Sequence, residues 1–283
     1  MAIQSKFHLA RFKPAFNGAE HATAYAGGDV LFDWHALEIP RGGCAIRSIA
    51  AIVQGTNGAA ANDKNMSLIF AKSIDGVAPP ALPVSNTALA VANAVLIRKH
   101  IVGYKFLAAT EIRSTNAEFV GYSILADGMI DKADDDEGHV MGAGVAPIIL
   151  EGDPNYSGTT KGYQTIWVAG IAAEGGADFG TAMEIDNGSG YTSGATATLN
   201  CDGTAGDILF APGDELVAAD GAAIGTVSTI SDDGSHTTLV LTSNVAATLT
   251  DDDEVCFKTP IELMLGLESV SYTHLTLPTN REV

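Results

Sequence analysis

Short apolar or alternating runs, cut roughly every 8–12 residues by Asp-Gly and other turn-forming pairs, constrain this chain's fold more than any other feature. The clearest case lies at 179–259. There 215–218, Asp220-Gly221 and 222–230 read as one hairpin, and 226–230, Asp233-Gly234 and 237–242 as a second. Asp-Gly supplies the positive φ that tight hairpin turns require. Alternation of Ala with Thr or Leu at 195–199 adds a further strand, and the spacing predicts a small β-barrel or sandwich. Earlier in the chain, strand patterns fall at 29–34, 45–53, 65–72, 100–107, 118–125 and 164–171, with Met66, Leu68 and Phe70 at period two. The stretch 86–96 leans toward helix through its Ala content. The expected fold class is all-β: an Ala/Gly-rich, jelly-roll-like β-sandwich with a smaller β-barrel or sandwich domain inserted before the last strand.

The expected organisation is an N-terminal arm at 1–20, a sandwich at 21–178 plus 260–268, and a small acidic β domain at 179–259. Thr259-Pro260 is the expected re-entry point. Residues 270–279 match the translation of a common sequencing-adapter sequence over ten consecutive positions. The segment 269–283 is therefore expected to be non-native and carries no weight in the fold.

Charge divides the chain. Of its 283 residues, 15 are Lys or Arg and 34 are Asp or Glu, a net −19. Residues 1–120 hold 11 basic and 8 acidic side chains, whereas 121–268 hold 3 and 25. A protein this acidic lacks the basic footprint that nucleic acid demands, so no nucleic-acid partner is expected. No apolar run approaches the roughly 20 residues of a bilayer span, and the N-terminus shows no secretory signal, so no membrane partner is expected. Cys44, Cys201 and Cys256 are too few and too scattered for a disulfide framework and fit thiols in a reducing cytoplasm.

Candidate chemistry is sparse. Two acidic runs, Asp134-Asp135-Asp136-Glu137 and Asp251-Asp252-Asp253-Glu254, offer the oxygen ligands that Ca²⁺ takes. Successive carboxylates on extended chain point to opposite sides, so convergence needs a tight loop. The other reading is a solvated loop that blocks edge-to-edge strand pairing. Ser235-His236 near Asp232 and Asp233 places three triad residue types within five positions, yet a triad draws its members from separate segments. The glycine cluster 187–194 lacks the Lys-Ser/Thr ending of a phosphate loop. No catalytic residue and no organic cofactor are expected.

Three sets of residues carry a resemblance that covers 1–268. The N-terminal arm holds Phe7, Phe12 and Phe16. Next comes the Ala/Gly-rich stretch from Ser48-Ile-Ala-Ala-Ile-Val to Ser67-Leu-Ile-Phe-Ala-Lys. The Thr/Asp/Gly-rich segment carries Pro212-Gly-Asp-Glu-Leu-Val and Asp220-Gly-Ala-Ala-Ile-Gly. In style these resemble structural proteins of marine tailed phages, including head-decoration proteins. The resemblance implies a non-enzymatic virion component assembled in a bacterial cytoplasm. It would form a homo-oligomer, a trimer being favoured, and its other partner would be the major capsid protein. On this reading Phe7, Phe12 and Phe16 dock on a neighbouring subunit. The alternative is a virion module that binds a host carbohydrate or receptor, with Trp34, Tyr191 and the Asp/Asn loops as contacts. A hydrolase is a third reading.

Overall fold

The structure, a computed structural model, describes residues 7–16, 23–54, 64–109, 148–156, 160–181, 183–203 and 209–269, with 120–125 as backbone. The chain is all-β. Its central strand is β14 (Ile261–Ser269), where alternation is strict: Ile261, Leu263, Leu265 and Leu267 are fully buried. Glu262, Met264, Gly266 and Glu268 occupy its other face. β14 pairs antiparallel with β1 (Phe7–Phe12) on one side and β3 (Cys44–Val53) on the other. β6 (Val120–Leu125) and the two-residue β7 (Ile149–Leu150) then lie against β3.

The second sheet has the order β2 (Val30–Pro40), β8 (Tyr163–Ala172), β4 (Met66–Lys72), β5 (Ile101–Leu107), all antiparallel. Side chains of the two inner faces form one core that includes Phe12, Phe32, Ile49, Phe70 and Leu265. At one end Phe16, Tyr25 and Phe179 meet edge to face, with ring centroids 5.0 Å apart for Phe16–Phe179 and 5.4 Å for Tyr25–Phe179. The outer face of the second sheet is covered in part by the helix α1 (Val91–Ile97), whose Ile97 joins Val30, Ile69, Leu82 and Ile171. No side chain caps α1 at Ala90, so packing carries this seven-residue helix.

Between β8 and β14 the chain builds a third sheet in the order β13 (Val255–Phe257), β10 (Glu215–Ala218), β11 (Ala223–Asp232), β12 (His236–Leu241), β9 (Thr198–Asp202). Residues 183–186 close this sheet into a barrel. On one side Ile185 N–H donates to Asp253 O and Val255 N–H to Met183 O. On the other, Asp202 N–H donates to Glu184 O and Asp186 N–H to Asn200 O. The interior, with Met183, Ile185, Leu199, Leu239 and Phe257, shares no residue with the sandwich core among the described residues. Both Asp-Gly hairpins form, with Gly221 at φ 81° and Gly234 at φ 85°.

Two expectations change. Residues 7–12 are a sheet strand, not part of an arm, because Ala10 and Phe12 on one side of β1 complete the sandwich core. Phe12 and Phe16, 7% and 8% exposed, are therefore core residues and cannot dock on a neighbour. Phe7, at 65%, still faces outward. β14 also runs one residue past the expected boundary, with Ser269 paired to Cys44.

Candidate functional site

Barrel closure assembles a cluster of three carboxylates, the one group of its kind close enough to share a metal ion among the described residues. Glu184 projects outward from the closing segment because Met183 and Ile185 on either side are buried. Its neighbours are Asp202 at the end of β9 and Asp252 in the turn before β13. Carboxylate oxygens of Glu184, Asp202 and Asp252 lie within 4.8 Å of one another. Asp252 sits there because its backbone is left-handed, φ 64°. The rest of the acidic run serves the turn itself: Asp251 Oδ1 accepts Asn187 N–H at 2.8 Å and Asp253 Oδ2 accepts Thr250 N–H at 2.6 Å. The cluster thus takes one member of the Asp251–Glu254 run and two residues that the sequence did not single out. Three carboxylates supply about half the oxygens that Ca²⁺ coordinates. Asp134, Asp135, Asp136 and Glu137 lie outside the described residues.

Three like charges this close repel. Asp252→Asn keeps a residue that tolerates the left-handed conformation and removes one charge. It is expected to raise the barrel's melting temperature by roughly 1–3 °C at low ionic strength and by nothing measurable near 1 M salt. Differential scanning calorimetry at both salts checks this.

His236 does not join a nucleophile. Its Nε2 lies 2.9 Å from Asp186 Oδ2 and its Nδ1 3.9 Å from Asp233 Oδ1, at the exposed tip of the β11–β12 hairpin. Asp233 instead caps the turn, accepting the backbone N–H groups of Ser235 and His236, which hold its carboxyl below the usual range. Among the described residues no hydrogen bond joins Ser235 Oγ to His236. The thiols are equally removed from chemistry. Cys44 and Cys201 are buried, and desolvation pushes them to about 11 and about 12. Cys256, also buried, is raised by the same cause. A thiolate, the reactive form, is disfavoured at all three.

Trp34 and Tyr191 have internal uses. Trp34 Nε1 donates to Pro80 O at 2.8 Å, and neighbouring Asp33 accepts Leu82 N–H, so the pair pins the 77–85 connection onto the outer face of the second sheet. Tyr191 OH accepts Asn200 N–H at 2.8 Å. The single donor of Trp34 is thus used within the chain, and the Tyr191 oxygen accepts one bond there. A cavity of about 270 Å³ lies where barrel meets sandwich, lined by residues such as Lys13, Gln54, Asp214, Glu215 and Phe257. That is below the roughly 300–1,000 Å³ of small-molecule sites.

One titration bears on stability. The His35 ring stacks on Phe12 at 4.6 Å between the sheets, and burial lowers its pKa from 6.5. The unfolded chain therefore takes up the proton first as pH falls through 6.5. His35 contributes stability above that pH and loses it progressively below. His35→Gln is expected to flatten the fall in melting temperature between pH 7.5 and 5.5; an unchanged slope would exclude the assignment.

No protein-family model matches the chain, and no curated protein or solved structure matches it.

Proposed function

We propose that the chain is a non-enzymatic structural subunit of a tailed-phage virion, of head-decoration type. It acts as a homo-oligomer, a trimer being favoured, and seats on the major capsid protein. One observation carries this reading: the outer face of the β1–β14–β3 sheet. β1 is the terminal strand in that sheet's order and turns Phe7 and Leu9 outward, 65% and 64% exposed. By register Leu9 stands beside Gly266, and Arg11 beside Met264. The charges on this face pair among themselves: Arg11 with Glu262, and Arg47 with Glu268 at 2.7 Å. In a chain of net −19 this is a locally neutral, partly apolar face, the kind that marks a protein interface. Seating it on a shell would bury Phe7 and Leu9 for roughly 1.5–3 kcal/mol each.

Cosedimentation with marine tailed-phage heads stripped of their decoration proteins tests the reading. Saturable binding by the wild type, weakened about tenfold or more in Phe7→Ser/Leu9→Ser, is the expected result. Absence of binding, or binding indifferent to the double substitution, would overturn it.

A further inference from the structure

Acidic residues are spread through this sequence, yet residues 76–110 contain not one Asp or Glu. The fold places that acid-free stretch on the outer face of the second sheet. α1 lies there, since Ile97 packs with Ile69 and Ile171. Tyr104 pairs with Ile69 and Phe106 with Ser67, and Tyr104 OH hydrogen-bonds Ser67 Oγ at 2.7 Å. From the helix end along β5 the surface shows Leu96, Arg98, Lys99, Ile101, Tyr104 and Phe106, all exposed. Leu96 and Tyr104 are each 56% exposed and Phe106 is 42%. Among the described residues neither Arg98 nor Lys99 has a carboxylate partner. This patch is apolar, cationic and on the terminal strand of its sheet.

The same chain carries the complementary charge on its barrel. Residues 179–259 hold 13 acidic and 1 basic side chains. The barrel leaves the sandwich after Ala172, which pairs with Met66 at the start of β4. Arg98 and Lys99 lie where β4 finishes, because Lys72 N–H donates to His100 O. At about 3.3 Å per residue, the length of β4 sets these ends roughly 20 Å apart before the barrel's own width is added. Among the described residues, Arg98 and Lys99 thus sit at the end of the second sheet away from the acidic barrel. The length of the second sheet separates Arg98 and Lys99 from their own barrel, so among the described residues their attraction to it is satisfied between molecules.

We infer that the α1–β5 patch docks the acidic barrel of a second copy, head to tail. Such a contact is heterologous: each copy offers the α1–β5 patch, with Arg98 and Lys99 at the end away from its barrel, to the barrel of the next copy, and repetition gives a ring where the rotation closes, a threefold ring included. Charge brings the copies together and sets their direction, while Leu96, Tyr104 and Phe106 lose water at the contact. This deepens the assembly reading above by naming the neighbour-facing surface. It uses a different face from the proposed shell contact, so either can fail while the other stands.

The test is sedimentation velocity of the full chain at 50 mM and 500 mM NaCl, for the wild type and for Arg98→Glu/Lys99→Glu. A neutral version, Arg98→Gln/Lys99→Gln, guards against misfolding, and melting curves confirm each fold. The wild type is expected to form a species larger than 29.2 kDa at low salt that dissociates at high salt. The reversed variant should stay monomeric at both salts, and the neutral one should weaken association about tenfold or more. A second variant, Glu184→Gln/Asp202→Asn/Asp252→Asn/Asp186→Asn, should weaken association from the barrel side. Mixed with the reversed variant it should form dimers and nothing larger, because only one of the two contacts survives in that pair. A wild type that is monomeric at low salt, assembly that persists in folded Arg98→Glu/Lys99→Glu, or assembly insensitive to salt would each overturn the inference. Loss of self-association with shell binding retained would overturn this contact alone.

Discussion

Leu265→Asp is expected to unfold the sandwich and leave the barrel standing. Leu265 is fully buried at the middle of β14, opposite Ala10 of β1 and Ile49 of β3. The substitution removes a core side chain and places an unpaired carboxylate between two sheets, a loss of about 5 kcal/mol or more. That is comparable with the whole stability of an ordinary domain. The barrel, by contrast, has an interior that shares no residue with the sandwich core, and its ring of backbone hydrogen bonds closes through 183–186 without β14. Hydrogen exchange read by mass spectrometry should therefore show 7–16, 44–54 and 163–172 unprotected while 198–202 and 236–241 keep their protection. Simultaneous loss in both sets would mean that the barrel depends on the sandwich and that the two cores are not separate.

Gly170→Ala is expected to destabilise the sandwich by about 3 kcal/mol, the upper end for overpacking a tight core. A Cβ on Gly170 of β8 would stand 2.2 Å from Phe32 Cε1, and Phe32 is fully buried. Phe32 in turn packs near Phe16, with ring centroids 6.4 Å apart, so it has little room to withdraw. Phe32→Leu should recover part of the loss in the double variant, since the two substitutions act on one contact. A Gly170→Ala protein that melts with the wild type would show that the Phe32 ring has room to withdraw from β8.

Much of this fold can be read from the residues, and the unread parts have physical reasons. β14 announces itself at 261–267, where leucines and isoleucine fall on alternate positions and one face is buried. The Asp-Gly hairpins of the barrel follow from turn chemistry alone. β1 is harder. Its Phe7-His8-Leu9-Ala10-Arg11-Phe12 places large apolar residues at Phe7 and Leu9 on the outer side, while Ala10 and Phe12 face the core. Apolar side chains on both faces cancel the period-two signal, and what reads as a loose arm is an edge strand. α1 begins five residues later than its Ala-rich stretch and ends on Ile97, whose contact with the sheet is tertiary.

The acidic cluster shows the same division. Alternation along an extended chain argued that Asp251–Glu254 converges only where a tight loop folds it; residues 251–252 form a turn, and Asp252 of that run enters the group of three. Glu184 and Asp202 were not legible. They belong to segments distant in sequence, and only closure of the barrel by the short piece 183–186 brings them beside Asp252. That piece has no turn pair or extended alternation to mark it. The separation of Arg98 and Lys99 from the barrel needed the fold too, because only the strand registers put them at the other end of β4.

Light scattering after size exclusion on the full chain at 50 mM NaCl, across a hundredfold range of concentration, tests most directly whether the protein works by assembling. A discrete species at a small whole multiple of 29.2 kDa that grows in population with concentration is expected, threefold being the favoured multiple. A single monomeric mass at every concentration would contradict it.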